Sequence, residues 1–115
     1  MRLGQLELSQ ENWEAAYNAY RQAVELNPKD ARAYSGMAYA LAKMGRTEEA
    51  IAANKEALAL RPADLSILQN LALLYHELGD DAEALKYARQ ALKVAPESQK
   101  PAIQALIQQL ELSQR

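Results

Sequence analysis

Three prolines, Pro28, Pro62 and Pro96, stand 34 residues apart. A period fixed somewhere in the range of roughly 20 to 50 residues marks a chain built from stacked copies of one supersecondary unit. Aligned on the prolines, Gly45 falls with Gly79, Ala16 with Ala50 and Ala84, Ala23 with Ala57 and Ala91, and Met37 with Leu71 and Leu3. Whatever the chain folds into must therefore be solved once and repeated.

Each period reads as two helices. In the second, Asp30 is a good N-cap, "ARAYSGMAYALAK" follows with Tyr34, Met37 and Leu41 as its large apolar residues, and Gly45 supplies a left-handed stop. Thr47 is expected to cap "EEAIAANKEALAL", whose early acids Glu48 and Glu49 suit the positive end of a helix dipole. Pro62 cannot continue that helix and pushes Arg61 away from helical geometry. The third period repeats the pattern with Asp64, Gly79, either Asp80 or Asp81, and Pro96. Alanine and leucine supply most of the apolar residues and phenylalanine is absent, a composition that suits helices better than sheets. Ala38, Ala72, Ala50, Ala57, Ala84 and Ala91 fall where two helices of a hairpin must approach closely. A hairpin of this kind has to stack on a neighbour to bury its apolar face.

These residues make the sequence resemble the tetratricopeptide repeat, a helix-turn-helix of about 34 residues with the pattern W-x2-L-G-x2-Y, A-x3-F and P. The second period matches at Tyr34, Met37, Ala38, Leu41, Ala50, Ala57 and Pro62, and the third at Leu68, Leu71, Ala72, Tyr75, Ala84, Ala91 and Pro96. Both depart at the large aromatic slot of the second helix, which holds Asn54 and Ala88. The first period matches at Leu3, Gly4, Ala16, Tyr20, Ala23 and Pro28, has Glu7 at an aromatic slot, and begins too late for a complete first helix. The resemblance implies an all-α solenoid of stacked antiparallel hairpins in a right-handed superhelix. Its expected parts are a truncated first repeat (1–30), a second (31–64), a third (65–98) and a C-terminal capping helix (99–115).

That last helix is expected to start at Ser98 as cap, with Pro101 in its first turn. Its apolar set Ala102, Ile103, Ala105, Leu106, Ile107 and Leu110 sweeps roughly 200°, about twice the stripe one buried face needs. Ile103, Ile107 and Leu110 are therefore candidates for self-association, and with the shortened first repeat they suggest a homo-oligomer joined through terminal helices.

Chemistry is sparse. His76 is the only histidine and there is no cysteine, so a histidine pair, cysteine-ligated metals, thiolate catalysis and disulfides are excluded. No glycine-rich phosphate loop exists, and Ser35, Ser66 and Ser98 have no local histidine and acid. No enzyme activity, cofactor or metal is expected. A net charge of −2 from 13 basic and 15 acidic residues is not the footprint of a nucleic-acid binder, and this acidic balance with a 34-residue period also separates the chain from basic pentatricopeptide RNA binders. There is neither a membrane-spanning run nor a secretory signal, so a cytoplasmic protein without membrane contact is expected.

The resemblance directs attention to a concave groove lined by the first helix of each repeat. Its lining would be Gln5, Leu8 and Ser9, then Arg32, Ser35, Gly36, Tyr39 and Lys43, then Ser66, Gln69, Asn70, Leu73, His76 and Glu77, extended by Lys100, Ile103 and Gln104. Tyr39 and Leu73 share one slot in consecutive repeats and would offer an apolar strip to a partner's side chain. Asn70 matches a slot whose amide grips a ligand backbone, donating and accepting. The family's clamp on a C-terminal carboxylate maps to Met1, Gln5, Gly36, Ser66 and Asn70, of which only Asn70 conforms, and it is disfavoured. Arg32, Lys43 and Lys100 against Glu77 make the groove mildly basic, which is compatible with an acidic peptide. Gly36 would open space in the floor. The expected function is a protein-interaction scaffold that binds a protein or peptide segment, with a self-associating spacer of a larger repeat protein as the alternative.

Overall fold

The computed structural model describes residues 2–114, with side chains from residue 12 onward. Six helices follow one another: α1 (Arg2–Leu26), α2 (Ala31–Lys43), α3 (Thr47–Leu60), α4 (Leu65–Leu78), α5 (Asp81–Val94) and α6 (Lys100–Ser113). They divide into two compact units, Met1–Leu60 and Arg61–Arg115. Within the first, α2 packs against α1 and α3; within the second, α5 packs against α4 and α6.

Helix ends follow the local sequence. Asp30 caps α2 by accepting from Arg32 N–H and Ala33 N–H, and Asp64 caps α4 by accepting from Ile67 N–H. Gly45 and Gly79 adopt φ of 79° and 89°, a left-handed conformation that glycine enters without a Cβ penalty. At both, the next residue's N–H reaches back a turn, Arg46 to Leu41 O at 2.9 Å and Asp80 to Tyr75 O at 2.8 Å, so orphan carbonyls of the ending helix are satisfied. Asp80 caps α5 through Glu83 N–H, leaving Asp81 as its first residue.

The first period departs from the two-helix expectation. Glu11 stands in the register of Gly45 and Gly79, so that slot holds no residue suited to a left-handed stop, and α1 runs unbroken from Arg2 to Leu26. Two expected caps also shift. Thr47 is inside α3, because Ala50 N–H already bonds Arg46 O at 3.0 Å. Ser98 does not cap α6; Gln99 takes that position without a side-chain bond, and Pro101 sits in the first turn.

The two units fill their interiors differently. Buried residues of α2 and α3 are mostly alanines (Ala31, Ala33, Ala38, Ala40, Ala50, Ala53 and Ala57) with Leu41 and Ile51. Asn54, at an aromatic slot, is buried with its Oδ1 unpartnered among the described residues. The second unit buries Ile67, Leu68, Leu71, Leu74, Tyr75, Leu85 and Tyr87, and Tyr75 and Tyr87 stack 5.7 Å apart at 4°.

Ile103 and Leu110, expected to await a partner, are 2% and 1% exposed. They form one stripe with the half-buried Leu106 and Ile107, at the i, i+3, i+4, i+7 spacing of a single amphipathic face. The apparent sweep of roughly 200° came from Ala102 and Ala105, which are exposed, and a solvated methyl carries little penalty. Ile103 is thereby also removed from the groove lining.

Candidate functional site

Helix α2 presents its two sides to different surroundings. At 100° per residue, Arg32, Ser35, Tyr39 and Lys43 share one side, and Tyr34, Met37 and Leu41 the other. The first side is exposed at Arg32, Tyr39 and Lys43 and half-buried at Ser35. Tyr39 keeps 54% of its surface in solvent, yet it is held in place. Trp13 of α1 meets its ring edge-to-face at 5.3 Å and 74°, and Lys43, one turn along α2, sets its ammonium 5.4 Å from the ring centroid. No acidic residue occurs in α2, and neither Arg32 nor Lys43 has an ion-pair partner among the described residues.

Trp13 is the residue that the register did not single out. It lies nine residues past Gly4 and matches no repeat slot; only its position on the face of α1 that packs on α2 reveals it. Gly36 differs from expectation as well. A methyl built there would overlap the Tyr20 ring, reaching 2.7 Å from its Cε2, so Gly36 opens a seat that α1 fills with an aromatic ring. The expected residues Gln5, Leu8 and Ser9 lie outside the described side chains.

In the second unit, α4 exposes Asn70, Leu73, His76 and Glu77, with Gln69 half-buried, on the helix side away from Leu68, Leu71 and Tyr75. Leu73 is 49% exposed. His76 is committed locally, where its Nδ1–H donates to Asp81 Oδ1 at 2.8 Å. Ser113 at the end of α6 donates its hydroxyl to the other oxygen of Asp81 at 2.6 Å. The Ser113 bond, then the His76 bond, hold the Asp81 carboxyl below its ordinary range. A carboxylate placed between the serine and the histidine takes the hydroxyl hydrogen bond itself, so this trio fastens three helix ends and does not prime a nucleophile. Arg89 to Glu111 at 2.9 Å fastens α5 to α6 again.

A second concavity lies on the other side of α2. It is a cleft of about 310 Å³ floored by Tyr34, Met37 and Leu41 and walled by Tyr17 of α1 and by Ala52 and Ala53 of α3. Arg46 holds two of the lining residues, 5.4 Å from the Tyr17 ring and paired through Nε and Nη2 with both oxygens of Glu49 at 2.8 and 2.9 Å. That bidentate bond lowers the Glu49 carboxyl below its usual range and raises the Arg46 guanidinium. Leu26 is 88% exposed, because it lies two residues and hence about 200° from the buried Val24.

Comparison with known proteins agrees with this architecture. A tetratricopeptide repeat model matches residues 30–97 and a second TPR repeat model matches residues 4–45. No curated protein sequence matches the chain. Among solved structures, the complex of the TPR2B domain of yeast Sti1 with pHsp70 is 29% identical, with a TM-score of 0.82 over 99% of this chain and 94% of that one. The Yersinia enterocolitica type III secretion chaperone SycD, solved with a peptide of the translocator YopD, is 15% identical with a TM-score of 0.85 over 99% of this chain and 91% of that one. PcrH, solved with the chaperone binding region of PopD, is 18% identical with a TM-score of 0.85, covering 99% and 90%. The last two show the shared fold alone. No helix among the described residues is long and apolar enough to cross a membrane. With one repeat model spanning more than half its length and the hairpins stopped and capped at a 34-residue interval, the chain belongs to the tetratricopeptide repeat family.

Proposed function

We propose that the chain is a protein-interaction module that takes a protein or peptide segment on the first-helix faces that its family uses as a groove, α2 in the first unit and α4 in the second. The observation that carries this reading is Tyr39, a half-exposed aromatic ring already immobilised by Trp13 and Lys43. A side chain ordered before binding loses little further entropy on contact, which suits an anchor. Asn70 contributes an amide to a ligand backbone and Leu73 an apolar contact. Arg32 and Lys43, which have no ion-pair partner among the described residues, favour an acidic ligand. Yeast Sti1 TPR2B, solved in complex with pHsp70, supports a protein partner. Self-association through the last helix would retain only Ile107 of its three expected contacts.

Substitution of Tyr39, Asn70 and Leu73 to alanine together tests the reading. Capture of native partners should fall about tenfold or more for each true anchor removed, with helical circular dichroism unchanged. Undiminished capture would sink the proposal. Capture should also weaken from low to moderate salt if the ligand is acidic.

A further inference from the structure

The cleft on the far side of α2 has a filled counterpart in the second unit. Moving 34 residues along the chain carries Leu41 to Tyr75, Glu49 to Glu83, Ala52 to Lys86 and Ala53 to Tyr87. In the second unit the Tyr87 ring occupies its slot, stacked on Tyr75, with both rings buried. Lys86 lies 5.4 Å from that ring and 4.0 Å from Glu83. In the first unit the same slots hold two methyl groups, and a volume of about 310 Å³ is left open above Tyr34, Met37 and Leu41.

We infer that this cleft is a second docking site, distinct from the α2 and α4 faces above, and that its occupant is an aromatic side chain with an adjacent basic residue on a partner protein. The second unit supplies internally what the first unit lacks, an aromatic ring and an ammonium group. The thioether of Met37 and the ring of Tyr17 suit an aromatic guest. Charge complementarity selects the basic neighbour. Glu56 lines the cleft with no ion-pair partner among the described residues, whereas Glu49 is held by Arg46. Glu49 and Glu56 lie about 10 Å apart along α3, so a cation beside the guest ring meets Glu56 well away from the Arg46–Glu49 pair.

The test uses acetyl-Lys-Tyr-amide, which copies the order of Lys86 and Tyr87, titrated into the full chain while the Met37 methyl resonance is followed. Saturable shifts at millimolar peptide are expected. Exchange of the peptide's lysine for glutamate should weaken binding about two- to fivefold, as for an exposed ion pair, and exchange of its tyrosine for alanine should abolish it. Ala53→Tyr, which installs the second unit's own filling, should abolish binding with unchanged helicity. If that variant misfolds, Glu56→Lys carries the test with a loss of about two- to fivefold. The peptide should leave the Tyr39 ring resonances unchanged, since Tyr39 lies across α2 from Met37 and Leu41 of the cleft floor. Non-saturating shifts, equal binding of the glutamate peptide, or full binding to a folded Ala53→Tyr would overturn the inference. A shift of the Tyr39 ring resonances would do the same by placing the peptide on the other face, and the remaining results do not bear on ligand capture through Tyr39.

Discussion

The two units share one backbone grammar and fill it with opposite materials. The first packs α2 and α3 through alanines and leaves its large aromatic residues, Tyr17, Tyr20, Trp13 and Tyr39, on or near the surface. The second buries leucines and a tyrosine pair, then fastens its helix ends with Asp81 and with the Arg89–Glu111 pair. Small residues at the scaffold slots let the hairpins form in both. What differs is the slots between, where the 34-residue register matches Ala53 with Tyr87, Leu41 with Tyr75, and Gly36 with Asn70. A repeat can therefore hold its fold constant while one copy keeps concavities and exposed rings and another closes them.

Removing the filling of the second unit should break that contrast most strongly. Tyr87→Ala would open there the space that the first unit already has, at a cost of roughly 3 to 5 kcal/mol in chemical denaturation, the usual range for deleting a large buried aromatic side chain. A loss under about 1 kcal/mol would mean that the ring is not part of the packed interior. Next, Leu110→Ala should cost roughly 2 to 5 kcal/mol, whereas Leu26→Ala at the surface should stay within about 0.5 kcal/mol. If Leu110→Ala instead dissociated an oligomer without lowering the stability of the monomer, its placement in the α6 stripe would be wrong.

Gly36→Ala sharpens the comparison within the first unit. The added methyl must displace the Tyr20 ring, which is 40% exposed and has room to swing outward. Alanine also favours the helix by about 1 kcal/mol over glycine, so net stability should stay within about 1 kcal/mol of the parent. The decisive readout is the Tyr20 ring resonances, which should move toward those of a solvated tyrosine. Unmoved resonances would contradict the seat assigned to Gly36.

The smallest expected effect is the pH dependence of the second unit. The folded-state value of Asp81 lies below its ordinary 3.8, held down first by Ser113 and then by His76. A depressed carboxyl stabilises the fold above its unfolded-state value. That contribution fades as pH falls through 3.8 and toward the folded-state value, where protonation releases Ser113 and His76. Amide protection factors in α6, corrected for the intrinsic pH dependence of exchange, should fall across that acid window in the parent and lose most of that dependence in Asp81→Asn. Equal pH dependence in both would remove the assigned role of Asp81.

How far these features could be read from the residues depends on what each one needs. Helix stops at Gly45 and Gly79 and caps at Asp30 and Asp64 are local chemistry, and they appear where the 34-residue register puts them. The same register misleads where it lacks a residue: with Glu11 in the place of a glycine, α1 continues instead of turning. Burial of Ile103 and Leu110 was not legible, because counting Ala102 and Ala105 as apolar widened a stripe that faces α5. The candidate face of α2 was legible in Arg32, Ser35, Tyr39 and Lys43 by helical spacing alone. Trp13 was not, since its contact with Tyr39 joins two helices and has no counterpart in the repeat. Nor was the cleft, which depends on what Ala53 fails to fill.

Trp13 is the only tryptophan and it touches the Tyr39 ring, so its fluorescence reports directly on that anchor. When a captured partner segment is titrated into the chain, Trp13 emission should shift to shorter wavelength in step with binding, and both responses should be lost in Tyr39→Ala. Saturable binding that leaves Trp13 emission unchanged, and persists in Tyr39→Ala, would contradict the assignment of this face as the ligand site.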